Sequence, residues 1–420
     1  MERLVIDGGK KLKGEITVQG AKNSVLPVIA ATLAADGVSV IHNCPMLCDV
    51  TAELDILRLL GCEVEISGSC VRIDSTKATR CEIPENLMRE MRSSIIFLGS
   101  LIARFGCARV SVPGGCDIGE RPIDYHLALL EKMGVRTVCG CDGCLRCECP
   151  DGLHAARITL PYPSVGATEN AILAAVKAKG TTVIENAARE PEIADLADFL
   201  IKCGARIDGA GERTIIIEGV KRLEACEYSV IPDRIIAATF MSAAAVTGGK
   251  ITLRKVCPEH LAPVLPCFEA SGCAIKSYSD CVTVSAPKRL KSMGVIRTNP
   301  YPGFPTDCQA VVMAMACVAD GVTVITERIF ENRFRHVAPL RRFGAQIETE
   351  NNAVAIIEGK ESLNAAKACS TDLRGGTALV IAALAAQGRS EITGLHHIDR
   401  GCERIENCFS GLGGQIKRLD

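Results

Sequence analysis

The chain has 420 residues, 48% hydrophobic and 23% charged, and its 48 Lys and Arg against 49 Asp and Glu leave a formal net charge of −1. No basic surplus exists to hold nucleic acid by counterion release, and the apolar content excludes a disordered or fibrous chain. The length suits two or three domains, each with a sizeable core.

The N-terminal stretch MERLVIDGGKKLKG carries charge at Glu2, Arg3, Asp7, Lys10, Lys11 and Lys13, where a signal peptide needs an apolar run, so no export is expected. Apolar runs such as VLPVIAATLAADG stop well short of the ~18 residues of a membrane helix, and a soluble protein without membrane contact is expected. The 23 cysteines are scattered along the chain. Many fall where Cys packs as a small apolar residue, which points to a reducing, cytoplasmic compartment and not to a disulfide framework.

Six stretches then recur in order, each an amphipathic helix pattern that ends in glycine and runs into a β-like alternation: LDILRLLGCEVEI, LALLEKMGVRTV, LADFLIKCGARI, VLPCFEASGCAI, VAPLRRFGAQIE and IENCFSGLGGQI. Their glycines, Gly61, Gly134, Gly204, Gly272, Gly344 and Gly413, lie 73, 70, 68, 72 and 69 residues apart and fill the chain. An Ala-rich helix, a glycine and a β run repeat in step, as in AATLAADGVSVI, ILAAVKAKGTTVI, MSAAAVTGGKITL, MAMACVADGVTVI and ALAAQGRSEI. Glycine after the last apolar position supplies a left-handed cap, and the β-branched residues that follow favour extension. Helices apolar all round are buried, so the Ala-rich ones are expected inside a shell of sheet. The fold class is therefore α/β, as two globular domains of three units each. A solenoid would need polar caps, and neither end has one.

Candidate site residues also follow chain order. VQGAKNSVLP sets Lys22 and Asn23 at the start of an apolar helix, where backbone N–H groups favour an anion; a solvated lysine is the plainer alternative. The segment from Val112 to His126, VPGGCDIGERPIDYH, is a glycine-rich loop in which Arg121 would lower the pKa of Cys116 and favour its thiolate, against the reading of an incidental thiol in a turn. The cluster Cys139, Cys141, Cys144, Cys147 and Cys149 invites a metal reading, but alternation around Asp142-Gly143 reads as a β-hairpin, with no second ligand pair. No metal is expected. PYPSVGATEN repeats the Lys22 arrangement, with Ser164 as cap and Gly166 open to a ligand. In the second half Asp307, Arg333, Asp372, Arg374 and Arg400 border apolar helices at equivalent places, and their recurrence argues for one shared cleft. His396-His397 is read as part of a strand.

GAKNSVLP, PGGCDIGERPID, SVGAT, GTTVIENAAREPEI, PDRI, the Pro-Thr-Asp at 305–307, FENRF, TDLR and HIDRGCERIE together resemble the UDP-N-acetylglucosamine 1-carboxyvinyltransferase family over essentially the whole chain. These are the enolpyruvyl transferases of bacterial peptidoglycan synthesis. The resemblance implies two inside-out α/β barrel domains made from six αβ units of about 70 residues, with residues 22–229 in one and 1–21 with 230–420 in the other. It implies transfer of the enolpyruvyl group of phosphoenolpyruvate to the 3-hydroxyl of UDP-N-acetylglucosamine through a tetrahedral ketal, with no cofactor and no obligatory protein partner. Lys22, Arg121 and Arg400 would hold the phosphate, with Asn23 beside them, and Arg333 and Arg374 the carboxylate. Asp307 would be the general base and Cys116 the proton donor, open to a covalent adduct and to alkylation by fosfomycin. The sugar nucleotide would lie against Asn23, Arg92, Arg121, Pro122, Ile123, Asp124, Tyr125, Ser164, Val165, Gly166, Asp307 and Ile329. Alternatives are 3-phosphoshikimate 1-carboxyvinyltransferase and a silent paralogue with a binding role, though the latter should lack Lys22, Cys116, Asp307 or Arg400. The chain departs from the family pattern at Tyr162-Pro163, Ile236 and Gly375-Gly376.

Overall fold

The computed structural model describes residues 2–90, 92–111, 123–140 and 143–420, without the side chains of residues 89, 90 and 92. Contacts sort them into a first unit, residues 20–111 with 123–231, and a second, residues 2–19 with 232–420. Each unit has its own apolar core.

Both units are α/β and contain three four-stranded sheets of one design. A short edge strand runs parallel to its neighbour, which is antiparallel to the third strand, and the third pairs with the fourth as antiparallel neighbours. Arg157–Thr159, Thr181–Glu185, Thr214–Glu218 and Arg206–Asp208 show this order in the first unit. Along Thr214–Glu218 exposure alternates, so Ile215 and Ile217 face the core. The N-terminal strands complete two sheets of the second unit. Arg3–Asp7 lies between Arg389–Thr393 and Gln415–Leu419, and Lys13–Thr17 forms the edge beside Lys250–Arg254. In the same edge slot of the first unit, Glu227–Ser229 pairs with Val38–His42.

The sheets surround apolar helices. Arg234–Val246, Thr306–Ala316 and Leu373–Ala385 pack pairwise in the second unit, and in the first Phe97–Phe105 packs against both Lys22–Thr32 and Val165–Ala175. Almost every residue of these six is buried, as all-round apolar helices must be. Phe97–Phe105 carries Phe, Leu and Ile where its counterparts carry Ala, so the Ala-rich pattern exposes five of the six. The six repeat glycines all adopt left-handed φ, from 81° to 101°, and end the amphipathic helices as expected. Among the described residues the sheets remain separate, so the inside-out arrangement consists of three sheets around helices and not of one closed barrel.

Two local expectations meet different outcomes. The cysteine-rich segment is a hairpin of Arg136–Cys139 and Cys144–Glu148, in which Gly143 has φ 73° and donates to the Gly140 carbonyl at 3.1 Å; Cys141 and Asp142 lie outside the described residues. The strand expected at His396-His397 is instead a helical turn, Leu395–Ile398. Left-handed Gly394 stops the preceding strand at Thr393, and the turn leaves Leu395 and Ile398 buried, His396 exposed and His397 half-buried. No described helix is long and apolar enough to cross a membrane.

Candidate active site

In the second unit the helix Thr306–Ala316 begins after Pro305, and Asp307 stands in its first turn, where the helix dipole favours a carboxylate. Two guanidinium groups hold that carboxylate: Arg333 Nη2 donates to Oδ1 at 2.8 Å and Arg374 Nη2 to Oδ2 at 3.2 Å. The arginine side chains are 4% and 8% exposed against 29% for Asp307, so the acid is the accessible member of the triad. Burial works against the charge of Arg374, but Asp307 and Asp233 outweigh it and raise its pKa. A buried guanidinium without an anion is strongly destabilising, which makes this pairing a requirement of the fold as well.

Neighbouring groups aim the triad. Asp372 caps the helix Leu373–Ala385 by accepting from Arg374 N at 3.1 Å and Gly375 N at 2.9 Å. The Gly375-Gly376 departure has a steric reason: a Cβ on Gly375 would stand 2.8 Å from His336 Cβ, and one on Gly376 would stand 2.2 Å from Ser370 Oγ. Burial pushes His336 down to about 4, with Asp372 opposing and Arg333 adding to the shift, so its imidazole is neutral at pH 7. Arg333 Nε and Asp372 Oδ2 are buried without a hydrogen-bond partner. Glu327, also buried, receives Thr298 Oγ1 at 2.9 Å, Thr306 Oγ1 at 3.0 Å and Ile329 N at 2.9 Å, fixing the turn around Ile329 to the start of the Asp307 helix. Gln19 donates to the Gly401 carbonyl at 3.2 Å and accepts from Glu403 N at 3.1 Å, holding the turn that carries half-buried Arg400. Gly401 lies where a Cβ would meet Leu373 at 2.5 Å, so this turn packs on the first residue of the Arg374 helix.

In the first unit Lys22 opens the helix Lys22–Thr32, whose Ala21 cap supplies no side-chain bond. Lys22 is buried and ion-paired with Asp49, itself in the first turn of Cys48–Leu60. One turn on, Glu53 is fully buried with neither oxygen bonded; burial first, then Asp49 and Glu169, raise its pKa well above the usual range, with Lys22 opposing. Glu169 is pushed up to about 8 by burial, then by Glu192 and Glu190. Asp195 rises to about 6 through burial, although Ser24, Tyr228 and Ile231 N donate to it. Ser164 caps the helix Val165–Ala175 through Ala167 N at 3.4 Å. A Cβ on Gly166 would meet the His126 ring at 3.1 Å, so the missing side chain makes room for that ring. Asn170 Nδ2 donates to His126 Nδ1 at 2.7 Å, while Asn170 Oδ1 accepts from Gly99 N at 2.7 Å.

The structure thus brings Asp307, Arg333 and Arg374 together, and places Ile329 and Arg400 on turns fixed to the same helices. Lys22, Asn23 and Ser164 to Gly166 stand at helix starts of the first unit, and Ile123, Asp124 and Tyr125 at the start of Asp124–Lys132. Cys116, Arg121 and Pro122 lie outside the described residues, as does the Arg92 side chain. Asp49, Glu327, Asp195 and the His126–Asn170 pair escape sequence reasoning. Only Asp49 carries a local signal, an acid in a first helical turn.

The family model for EPSP synthase, 3-phosphoshikimate 1-carboxyvinyltransferase, matches residues 6–409. A protein of Caldanaerobacter subterraneus named UDP-N-acetylglucosamine 1-carboxyvinyltransferase 2 is 49% identical over 419 residues, covering 100% of both chains. The chain belongs to this enolpyruvyl transferase family. Another member, UDP-N-acetylglucosamine 1-carboxyvinyltransferase of Geotalea daltonii, is 47% identical over 100% of both chains. Among solved structures the enolpyruvyl transferase NikO from Streptomyces tendae matches with TM-score 0.90 at 25% identity, over 100% of this chain and 99% of that one. An EPSP synthase from Acinetobacter baumannii shares the fold, with TM-score 0.76 at 19% identity over 100% of both chains.

Proposed function

We propose that this chain transfers the enolpyruvyl group of phosphoenolpyruvate to the 3-hydroxyl of UDP-N-acetylglucosamine, releasing phosphate, as the first committed step of bacterial peptidoglycan synthesis in the cytoplasm. The observation that carries the reading is the Asp307 carboxylate held by the buried guanidiniums of Arg333 and Arg374. A substrate carboxylate offers the same chemistry to the same donors, and Arg333 Nε has a further N–H to give it. When phosphoenolpyruvate takes these donors, the Asp307 anion loses part of its stabilisation and its proton affinity rises. Asp307 then accepts the proton of the 3-hydroxyl as that oxygen attacks C2.

Cys116 delivers a proton to C3, giving the tetrahedral ketal; loss of a C3 proton and departure of phosphate restore the double bond. Lys22, Arg121 and Arg400 neutralise the phosphate, with Asn23 beside them. The sugar nucleotide is assigned to Asn23, Arg92, Arg121 to Tyr125, Ser164 to Gly166, Asp307 and the Ile329 turn that Glu327 fixes. Residues 22–229 and 1–21 with 230–420 are assigned as the two domains, and the grouping of contacts supports that division.

Phosphate release is the test, with phosphoenolpyruvate and either UDP-N-acetylglucosamine or shikimate 3-phosphate, before and after fosfomycin. Release with the sugar nucleotide alone, blocked by the epoxide, is the expected outcome, and Cys116→Asp should turn over while resisting the epoxide. Release only with shikimate 3-phosphate would overturn the acceptor. No release with either would leave a binding role.

A further inference from the structure

We propose that Cys203 and Cys226 form a thiol–disulfide exchange site that takes low-molecular-weight disulfides and closes reversibly into an internal disulfide. The proposal does not depend on the transferase reading. Their sulfurs are 3.5 Å apart, so closure to a bond of ~2.0 Å needs about 1.5 Å of approach. The backbones are already tethered. Glu224 N donates to the Cys203 carbonyl at 2.8 Å, and Val40 N to the Cys226 carbonyl at 3.1 Å, so both cysteines sit on anchored backbone.

The two thiols differ in a useful way. Cys203 caps the helix Pro191–Lys202 and is 2% exposed, whereas Cys226, next to the strand Glu227–Ser229, is half-buried and reachable. The two thiols share a hydrogen bond in which either sulfur can donate; with Cys203 as the donor it lowers the Cys226 pKa, with Lys202 helping and burial opposing, and raises that of Cys203. The reachable sulfur is therefore the better thiolate, the form that attacks disulfides.

In the first step the Cys226 thiolate attacks a small disulfide, forms a mixed disulfide and expels one small thiolate. Cys203 then gives up its proton and attacks Cys226 sulfur, expelling the second small thiol. Two protein thiols are oxidised and one small disulfide is reduced to two thiols, so atoms and electrons balance.

The experiment exposes the full chain to oxidised glutathione and maps it without reduction. Trypsin places Cys203 in residues 203–206 and Cys226 in residues 223–234. The expected result is a cross-linked pair of these peptides, with loss of their two titratable thiols that dithiothreitol restores. Cys203→Ser should stop with glutathione on Cys226, and Cys226→Ser should leave Cys203 unmodified. Recovery of both parent peptides as free thiols while other cysteines are modified would overturn the proposal. So would a parent chain that stops at glutathionylated Cys226, and the parent map alone suffices if a variant does not fold.

Discussion

The two units share one scaffold, three apolar helices and three four-stranded sheets, yet they bury different balances of charge. The second unit holds Arg234, Arg333 and Arg374, the three buried arginines among the described residues, and answers them with Asp307 and Asp233. The first buries Asp49, Glu53, Glu169, Glu192 and Asp195 around Lys22, its one buried cation among the described residues. Desolvation is met by ion pairing on one side, whereas on the other it raises the pKa values of Glu53, Glu169 and Asp195.

Removing the accessible acid of the arginine pair should break the comparison most. Asp307→Asn is expected to lower the unfolding midpoint, because it leaves two buried guanidiniums without an anion, and in the folded enzyme to keep substrate binding but lower kcat by about 10²–10⁴; single-turnover kinetics beside calorimetric binding would separate the two, and near-normal kcat would assign the base elsewhere. In the first unit, Asp49→Asn removes the carboxylate of the Lys22 ion pair and should lower stability in urea unfolding, by up to about 3–5 kcal/mol. An unchanged midpoint would mean that Lys22 has another anion.

The protonated acids give a pH signature of definite sign. A carboxyl whose pKa is higher folded than unfolded stabilises the fold below its unfolded value and loses that contribution as pH rises to the folded one. For Glu169 the window runs from 4.5 to about 8. Glu169→Gln should therefore gain thermal stability over the parent steadily across that window and hold the gain above it, by on the order of a few kcal/mol; a constant difference would mean that Glu169 is ionised throughout. His336, lowered to about 4, runs the other way. Its contribution is present above pH 6.5 and fades as pH falls through 4, so an acid limb that survives in His336→Gln would have another source. The smallest effect is local. Ser164→Ala should cost about 0.5–2 kcal/mol through the lost cap, read as a shift in the unfolding midpoint.

Much of this was legible in the chain because its signals are local. Every repeat glycine ends a helix in left-handed φ, and the apolar helices are the buried ones. Asp307, Arg333 and Arg374 could be named because each stands beside an apolar helix. The His126–Asn170 pair left no local signal, because its members stand on different helices 44 residues apart. The strand read into His396-His397 failed because one glycine, Gly394, turned the backbone before them.

By itself the sequence determined the period, the order of helix and strand, the α/β class and the set of charges at the helix starts, since each depends on neighbours within a turn or a strand. Tertiary structure decided which charges meet. Asp307 and Arg374 are 67 residues apart, Ser24 and Asp195 are 171, and Gln19 and Gly401 are 382. No local pattern encodes such pairings, because the desolvation that makes a buried charge need its partner arises only once the sheets have closed around the helices.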